Sequence, residues 1–212
     1  MKQIIPTILE KEYPAFSHKI LKSLQYGNRI QIDVIEKNFA DNQTILPNQW
    51  LMSFENINCD VHLMVENPMD WIAICLENKV SLITIHLEKL KEVKNFLQEL
   101  REKKIRTGIA IDLDTDIFKV KVPLLNQFDQ ILLMAVKAGF AHQKFNSSVL
   151  EKINYVRQNC RKKAEIIIDG GINFDSAKQC FQARADGVAV NSYLWQNYPK
   201  NLFRLQRLAK LF

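Results

Sequence analysis

Short apolar runs recur along the chain, and between them lie segments whose apolar residues return at helical spacing. Gln3 to Leu9 is such a run, punctuated by Pro6, and Tyr13 to Tyr26 follows with Phe16, Ile20, Leu21 and Leu24 on one helical stripe before Gly27. Arg29 to Ile35 is the next strand, then a polar loop from Glu36 to Gln43 and a helix within Pro47 to Phe54. Ile57 to Met64 reads as strand, and Pro68 opens a helix to about Asn78, because proline suits a first helical turn. The unit then repeats: strands at Val80 to His86, Ile105 to Ile111, Gln130 to Val136, Glu165 to Asp169 and Gly187 to Asn191. Helices are expected at Leu90 to Lys103, Ile117 to Leu125, Ser147 to Asn159, Phe174 to Arg184 and Leu202 to Leu211, with Ser147 or Ser148 as N-cap of the third of these.

Eight near-continuous apolar strands alternating with eight helices describe a parallel sheet covered on its outer side. The predicted fold is α/β, one (β/α)8 TIM barrel forming a single domain over residues 1–212; an open doubly wound sheet is the alternative.

Composition narrows the partners. The chain is 47% hydrophobic and 25% charged, which excludes disorder, and its formal charge is +6. The positive residues are scattered. Their densest runs, Arg101 to Arg106 and Arg161-Lys162-Lys163, fall at expected helix ends, where cations complement the helix dipole. A solvated surface and an anionic small substrate are therefore expected, with no nucleic-acid partner. The four cysteines, at 59, 75, 160 and 180, form no CxxC pair and read as free thiols of a reducing compartment. No leader-like start and no long apolar span stands out, so no membrane partner and a cytoplasmic location are expected.

Candidate chemistry begins at Arg29 to Ile35. Alternation puts Gln31, Asp33 and Ile35 on one face of that strand and Ile30, Ile32 and Val34 on the other, so Asp33 points inward and needs partners. Barrels place working groups at the carboxyl ends of their strands, which selects Thr7, Asp33, His62, His86, Asp112, Met134 and Asp169. Asp33, His62 and Asp169 combine as a divalent-metal site, and two carboxylates on opposite sides of a substrate serve equally as base and acid. Gly170-Gly171 after a strand and before a helix, with Gly139 and Asn191-Ser192 nearby, suggests an anion cradle and a phosphorylated metabolite. His86 with Glu88 reads either as substrate pocket or as hydrogen-bonded support, and Asp112 and Asp114 as caps of the short helix that follows.

These stretches carry a family resemblance from Ile4 to about Trp195. Ile5-Pro6-Thr7-Ile8-Leu9, Ile32-Asp33-Val34, Asp60-Val61-His62-Leu63-Met64-Val65-Glu66-Asn67-Pro68, Met134-Ala135-Val136 with Gly139-Phe140, and Asp169-Gly170-Gly171-Ile172-Asn173 together resemble ribulose-phosphate 3-epimerases. The resemblance implies that Asp33 and Asp169 exchange a proton at C3 of a ketose phosphate and also ligate one divalent ion with His62. Gln31 stands where the family has a second ligating histidine. A neutral amide oxygen there weakens zinc binding and favours Mn²⁺ or Mg²⁺, with Fe²⁺ also in the family's range. Met64 and Met134 match residues flanking the substrate, with Thr7 in place of a serine and Ile35 in place of a third methionine. The phosphate end, Gly139, Phe140, Ala141, His142, Gly170, Gly171, Asn191 and Ser192, departs in part: Lys137-Ala138 replace Asn-Pro, Ala141-His142 replace two glycines, and Asn191 replaces a glycine. Asn191 is expected to keep a left-handed bend, since asparagine tolerates positive φ. A homo-oligomer acting on ribulose 5-phosphate is the implied protein; the alternatives are a sugar-phosphate-binding barrel without turnover and an epimerase of another ketose phosphate, such as a hexulose phosphate.

Overall fold

The computed structural model describes residues 2–160 and 164–212, and the basic run Arg161-Lys162-Lys163 lies outside them. Eight parallel strands close on themselves in sequence order: β1 (Gln3–Ile8), β2 (Arg29–Ile35), β3 (Asn58–Met64), β4 (Leu82–His86), β5 (Arg106–Ile111), β6 (Gln130–Met134), β7 (Glu165–Asp169) and β8 (Gly187–Val190). Around them run α1 (Tyr13–Leu24), α2 (Met69–Glu77), α3 (Val93–Glu102), α4 (Val122–Leu125), α5 (Val149–Asn159), α6 (Phe174–Gln182), α7 (Ser192–Gln196) and α8 (Lys200–Ala209). This is the (β/α)8 barrel expected from the pattern.

Both faces of each strand are buried, which explains why the strands read as continuous apolar runs. Outward residues such as Ile30, Ile32 and Val34 join one large core with Phe16 and Ile20 of α1, Phe96 and Leu100 of α3, and Leu202 and Leu205 of α8. Inward residues fill the barrel in layers. At the amino ends of the strands, Arg29 donates to both oxygens of Glu165, at 2.6 and 2.8 Å, and to Asp60 at 2.9 Å. Arg106 donates to Glu165 at 2.9 Å, and Gln3 bonds to both Arg29 and Glu165. This charged plug closes the bottom. Above it an apolar layer of Ile5, Ala110, Leu132, Ile167 and Ala189 fills the middle. The carboxyl end is left for the polar residues, and register aligns them: Thr7 lies opposite Gln31, Asp33 opposite His62, and Met134 opposite Asp169.

Several local expectations are corrected. The stretch expected as one helix over Ile117 to Leu125 is a 3-10 turn at Ile117–Lys119 followed by α4, because Pro123 restarts the helix in its first turn. Asp116, not Asp112 or Asp114, caps the first of these by accepting from the Phe118 N–H. Ser148 occupies the N-cap position of α5 without a side-chain bond, and Asn146 Oδ1 accepts from the Ser148 N–H instead. A further short helix, α7, follows β8 directly, and the last helix starts at Lys200 rather than Leu202.

The plug generates a stability prediction. Glu165→Ala leaves the largely buried Arg29 and the exposed Arg106 without their shared carboxylate, while Asp60 still serves Arg29. The expected loss is about 2–3 kcal/mol, read as a lower urea midpoint at unchanged slope. A loss under about 0.5 kcal/mol would mean the plug does not contribute.

Candidate active site

Alternation and register bring Asp33, His62 and Asp169 to one point. All three are buried, and one ligand atom from each lies within 4.8 Å of the others. His62 Nδ1 stands 3.2 Å from Asp33 Oδ1 and 3.9 Å from Asp169 Oδ2. Gln31, one layer below on β2, reaches up between the carboxylates, its amide N–H donating to Asp33 Oδ1 at 2.9 Å and to Asp169 Oδ2 at 2.6 Å. The other edge of the His62 ring meets a second imidazole, with Nε2 of His62 and Nε2 of His86 2.9 Å apart. Beyond it, His86 Nδ1 lies 3.3 Å from Glu88 Oε2.

The electrostatics follow from burial. Desolvation, with Asp33 as the next influence, pushes Asp169 up to about 7. Desolvation likewise raises Asp33 to about 7, against the pull of the Gln31 amide. The His62 imidazolium is disfavoured for the same reason, its pKa falling to about 4. Two carboxylates with pKa near neutrality tend to share one proton.

The donor set fits a divalent cation. Two carboxylate oxygens and an imidazole nitrogen, all electron-rich and all buried, converge with no positive side chain among them. Turning the Gln31 amide by half a revolution presents its Oε1 to the same point, as oxygen and nitrogen of an amide are interchangeable in shape. Asp33, His62, Asp169 and Gln31 would then hold an ion with three oxygen donors and one nitrogen.

Above this cluster opens a cavity of about 320 Å³. Met64, Met134, Leu9 and Ala189 make its apolar floor, while Asp33, His62 and Asp169 form its polar end. The opposite end is lined by Gly139, Phe140, Ala141, His142, Gly170, Gly171, Asn191 and Ser192, so the loops after β6, β7 and β8 meet as expected. Gly170 and Gly171 have φ of +107° and +64°, and a Cβ on Gly171 would come 2.3 Å from the Phe145 backbone nitrogen. The first amides of α6 are already taken by the Asn173 side chain, which accepts from Asp175 and Ser176. An anion is left the N–H groups of the glycine loop and of the β8 end, with Lys137 and His142 on the rim.

Two expectations shift here. Asn191 adopts φ −106°, so no left-handed bend is needed at that position; His142 takes it, with φ +62°. Thr7 does not line the cavity but is buried beside Gln31, and its hydroxyl has no hydrogen-bond partner among the described residues. The sequence reading missed Gln143, Tyr193 and Gln196, which also line the cavity. Tyr193 has a buried hydroxyl without a hydrogen-bond partner among the described residues, and the unanticipated helix α7 puts it there.

Comparison with known proteins agrees with this geometry. The family model described as the ribulose-phosphate 3 epimerase family matches residues 3–195. A ribulose-phosphate 3-epimerase of Bacillus subtilis (strain 168) is 29% identical over 203 residues, covering 92% of this chain and 93% of that protein. That of Chlamydia muridarum is 32% identical over 187 residues, covering 83% and 80%. Among solved structures, a 3-hexulose-6-phosphate synthase from Salmonella typhimurium superimposes with a TM-score of 0.69 over 100% of this chain and 99% of that one, at 13% identity. A tryptophan synthase alpha-subunit from Pyrococcus furiosus does so with a TM-score of 0.69 over 98% and 96%, at 14% identity. At such identities the two structures share the barrel and nothing finer. The match across residues 3–195, with two aspartates and a histidine gathered under one glycine-lined cavity, makes this chain a member of the ribulose-phosphate 3-epimerase family.

Proposed function

We propose that the protein is a carbohydrate-phosphate isomerase that interconverts D-ribulose 5-phosphate and D-xylulose 5-phosphate by two-carboxylate proton transfer at C3. The observation that carries this reading is the pair Asp33 and Asp169, held on β2 and β7 at one end of a cavity whose other end is built of glycine-rich loops. Buried side by side, the two carboxylates favour a state in which one is ionised and the other protonated. Ionised Asp33 takes the proton from C3, and the electron pair of the C–H bond moves toward the C2 carbonyl to give an enediolate. Protonated Asp169 returns a proton to C3 from the other face, leaving the two carboxylates in exchanged states. A bound divalent cation supplies positive charge beside the oxygens on which the negative charge develops. Met64, Met134 and Leu9 exclude water from the reacting carbon.

With an amide in the donor set, Mn²⁺, Mg²⁺ or Fe²⁺ fits better than Zn²⁺. The Gln31 amide bridging both carboxylates is also what favours a second reading, a barrel that binds a sugar phosphate without turnover. The four cysteines carry no disulfide, which supports a cytoplasmic enzyme, and no helix among the described residues is long and apolar enough to cross a membrane. A homo-oligomer completes the proposal.

Conversion of ribulose 5-phosphate by the Mn²⁺-loaded protein is the direct test, and its absence with every ion named would favour the binding reading. Asp169→Asn is expected to lower turnover by about 10²–10⁴-fold while leaving binding of a phosphorylated ligand within a few-fold. Comparable turnover in that variant would remove Asp169 from the chemistry.

Gln31→His should tighten Zn²⁺ by about tenfold or more in chelator competition, because imidazole suits zinc better than an amide oxygen. Unchanged affinity would mean that residue 31 does not face the ion.

The raised carboxylates also set a pH dependence. Folded Asp33 and Asp169 keep protons that the unfolded chain releases above its ordinary value of 3.8, so their contribution to metal-free stability falls as pH rises from about 4 through about 7, while buried neutral His62 contributes in the opposite sense between about 4 and its ordinary 6.5. Asp169→Asn isolates the carboxylate: in urea unfolding, the stability of the wild type relative to the variant should fall by a few kcal/mol between about pH 5 and about pH 7.5, at about 1.4 kcal/mol per pKa unit. A difference between wild type and variant that stays constant or rises across this window would contradict the assignment.

A further inference from the structure

His86 and Glu88 do not line the cavity, yet they continue a line of hydrogen bonds that starts at His62, a residue of its polar end. Glu88 is fixed from several sides. Its Oε1 accepts from the Asp112 N–H at 3.0 Å and from the Thr115 hydroxyl, and its Oε2 faces His86. The loop that supplies those donors is itself pinned by Lys152, which donates to the carbonyls of Asp112, Leu113 and Thr115 at 2.6 to 2.8 Å. Although burial opposes it, bonds from His86 and Thr115 hold the Glu88 carboxyl down at about 2, so it stays ionised.

An ionised carboxylate at the end of the line decides where the protons sit. The 2.9 Å contact between the two Nε2 atoms needs one proton, on one ring or the other. If His86 carried it there, its bare Nδ1 lone pair would face the Glu88 carboxylate at 3.3 Å, two acceptors in contact in a buried place. If His86 carries its proton on Nδ1, it donates to Glu88, and its Nε2 accepts from His62. His62 then holds its proton on Nε2, and its Nδ1 lone pair faces Asp33 Oδ1 at 3.2 Å and Asp169 Oδ2 at 3.9 Å. That is the same opposition of acceptors, but a divalent cation held by these three residues relieves it, whereas no such cation site forms between His86 and Glu88 among the described residues.

We propose that Glu88 and His86 are positioning residues that select the Nε2–H tautomer of His62, so that its Nδ1 is presented as a ligand to a divalent cation. The assignment rests on reading Asp33, His62 and Asp169 as a cation site, and it goes beyond that reading by naming what prepares the nitrogen. Outer partners of this kind set the ring orientation and basicity of a ligating histidine. The path runs through β3, β4, the turn that follows β4 and the loop after β5, and His62 is its one residue that lines the cavity.

Long-range proton–nitrogen NMR on the ¹⁵N-labelled protein loaded with diamagnetic Mg²⁺ reads the tautomer directly, with only four histidines to assign. The wild type should show His62 protonated on Nε2 and His86 on Nδ1. Glu88→Gln keeps the shape and still accepts from Asp112 and Thr115, but its amide donates to His86 Nδ1, reversing the line and protonating His62 on Nδ1. Mn²⁺ binding, followed by the electron paramagnetic resonance of the free ion, should weaken about 10–100-fold in Glu88→Gln at unchanged melting temperature. A wild-type His62 protonated on Nδ1, or a folded Glu88→Gln that binds Mn²⁺ within about twofold of wild type, would overturn the proposal. Neither readout uses turnover, so a protein that shows the expected tautomers and Mn²⁺ affinities but no epimerisation would refute the catalytic reading and support the relay.

Discussion

Two carboxylates and an imidazole are gathered in a buried place with no positive side chain among the described residues there, and the repulsion between the carboxylates is the constraint around which the carboxyl end of the barrel is arranged. A shared proton or a divalent cation relieves it, and each of these is also a requirement of proton transfer at carbon. The Gln31 amide moderates it by donating to both aspartates at once. The same physics runs in reverse at the amino end, where Arg29 and Arg106 meet Asp60 and Glu165 and charges cancel pairwise. One end of the barrel is neutralised internally and the other is left short of positive charge, which is how a single sheet separates stability from chemistry.

The family resemblance places Gln31 where a histidine would stand, and the geometry gives that change a meaning. An amide has a donor and an acceptor at the same radius, so it can bridge two carboxylates in one rotamer and offer an oxygen to an ion in the other. A histidine would compete with His62 as a second nitrogen donor and draw zinc. Tuning then falls to the outer groups. His86 and Glu88 lie behind His62, on the side away from the substrate, and act only through which nitrogen of His62 is bare.

Much of this was legible in the sequence because its signals are local or periodic. The strands show as apolar runs since both faces of a barrel strand are covered, and the inward placement of Gln31, Asp33, His62 and Asp169 follows from alternation alone. What escaped depended on distances between elements. Whether His86 faces substrate or supports His62 turns on where His62 sits in front of it, which no spacing within β4 reveals. Tyr193 was invisible because α7 is too short to leave a periodic trace. The bend assigned to Asn191 by residue preference belongs instead to His142, since neighbouring loops decide which position takes positive φ. Asp116 rather than Asp112 caps the turn after β5 because Asp112 Oδ1 is engaged with the Leu113 N–H.

The central claim is that two carboxylates from opposite strands work on opposite faces of one carbon. Turnover of unlabelled ribulose 5-phosphate in deuterium oxide, stopped early and read by mass spectrometry and NMR, tests it most directly. The account predicts one solvent deuterium at C3 of each xylulose 5-phosphate formed, because the proton taken by Asp33 differs from the one returned by Asp169. Product that retains its original hydrogen at C3 would mean that a single group carries the proton across, and would contradict it.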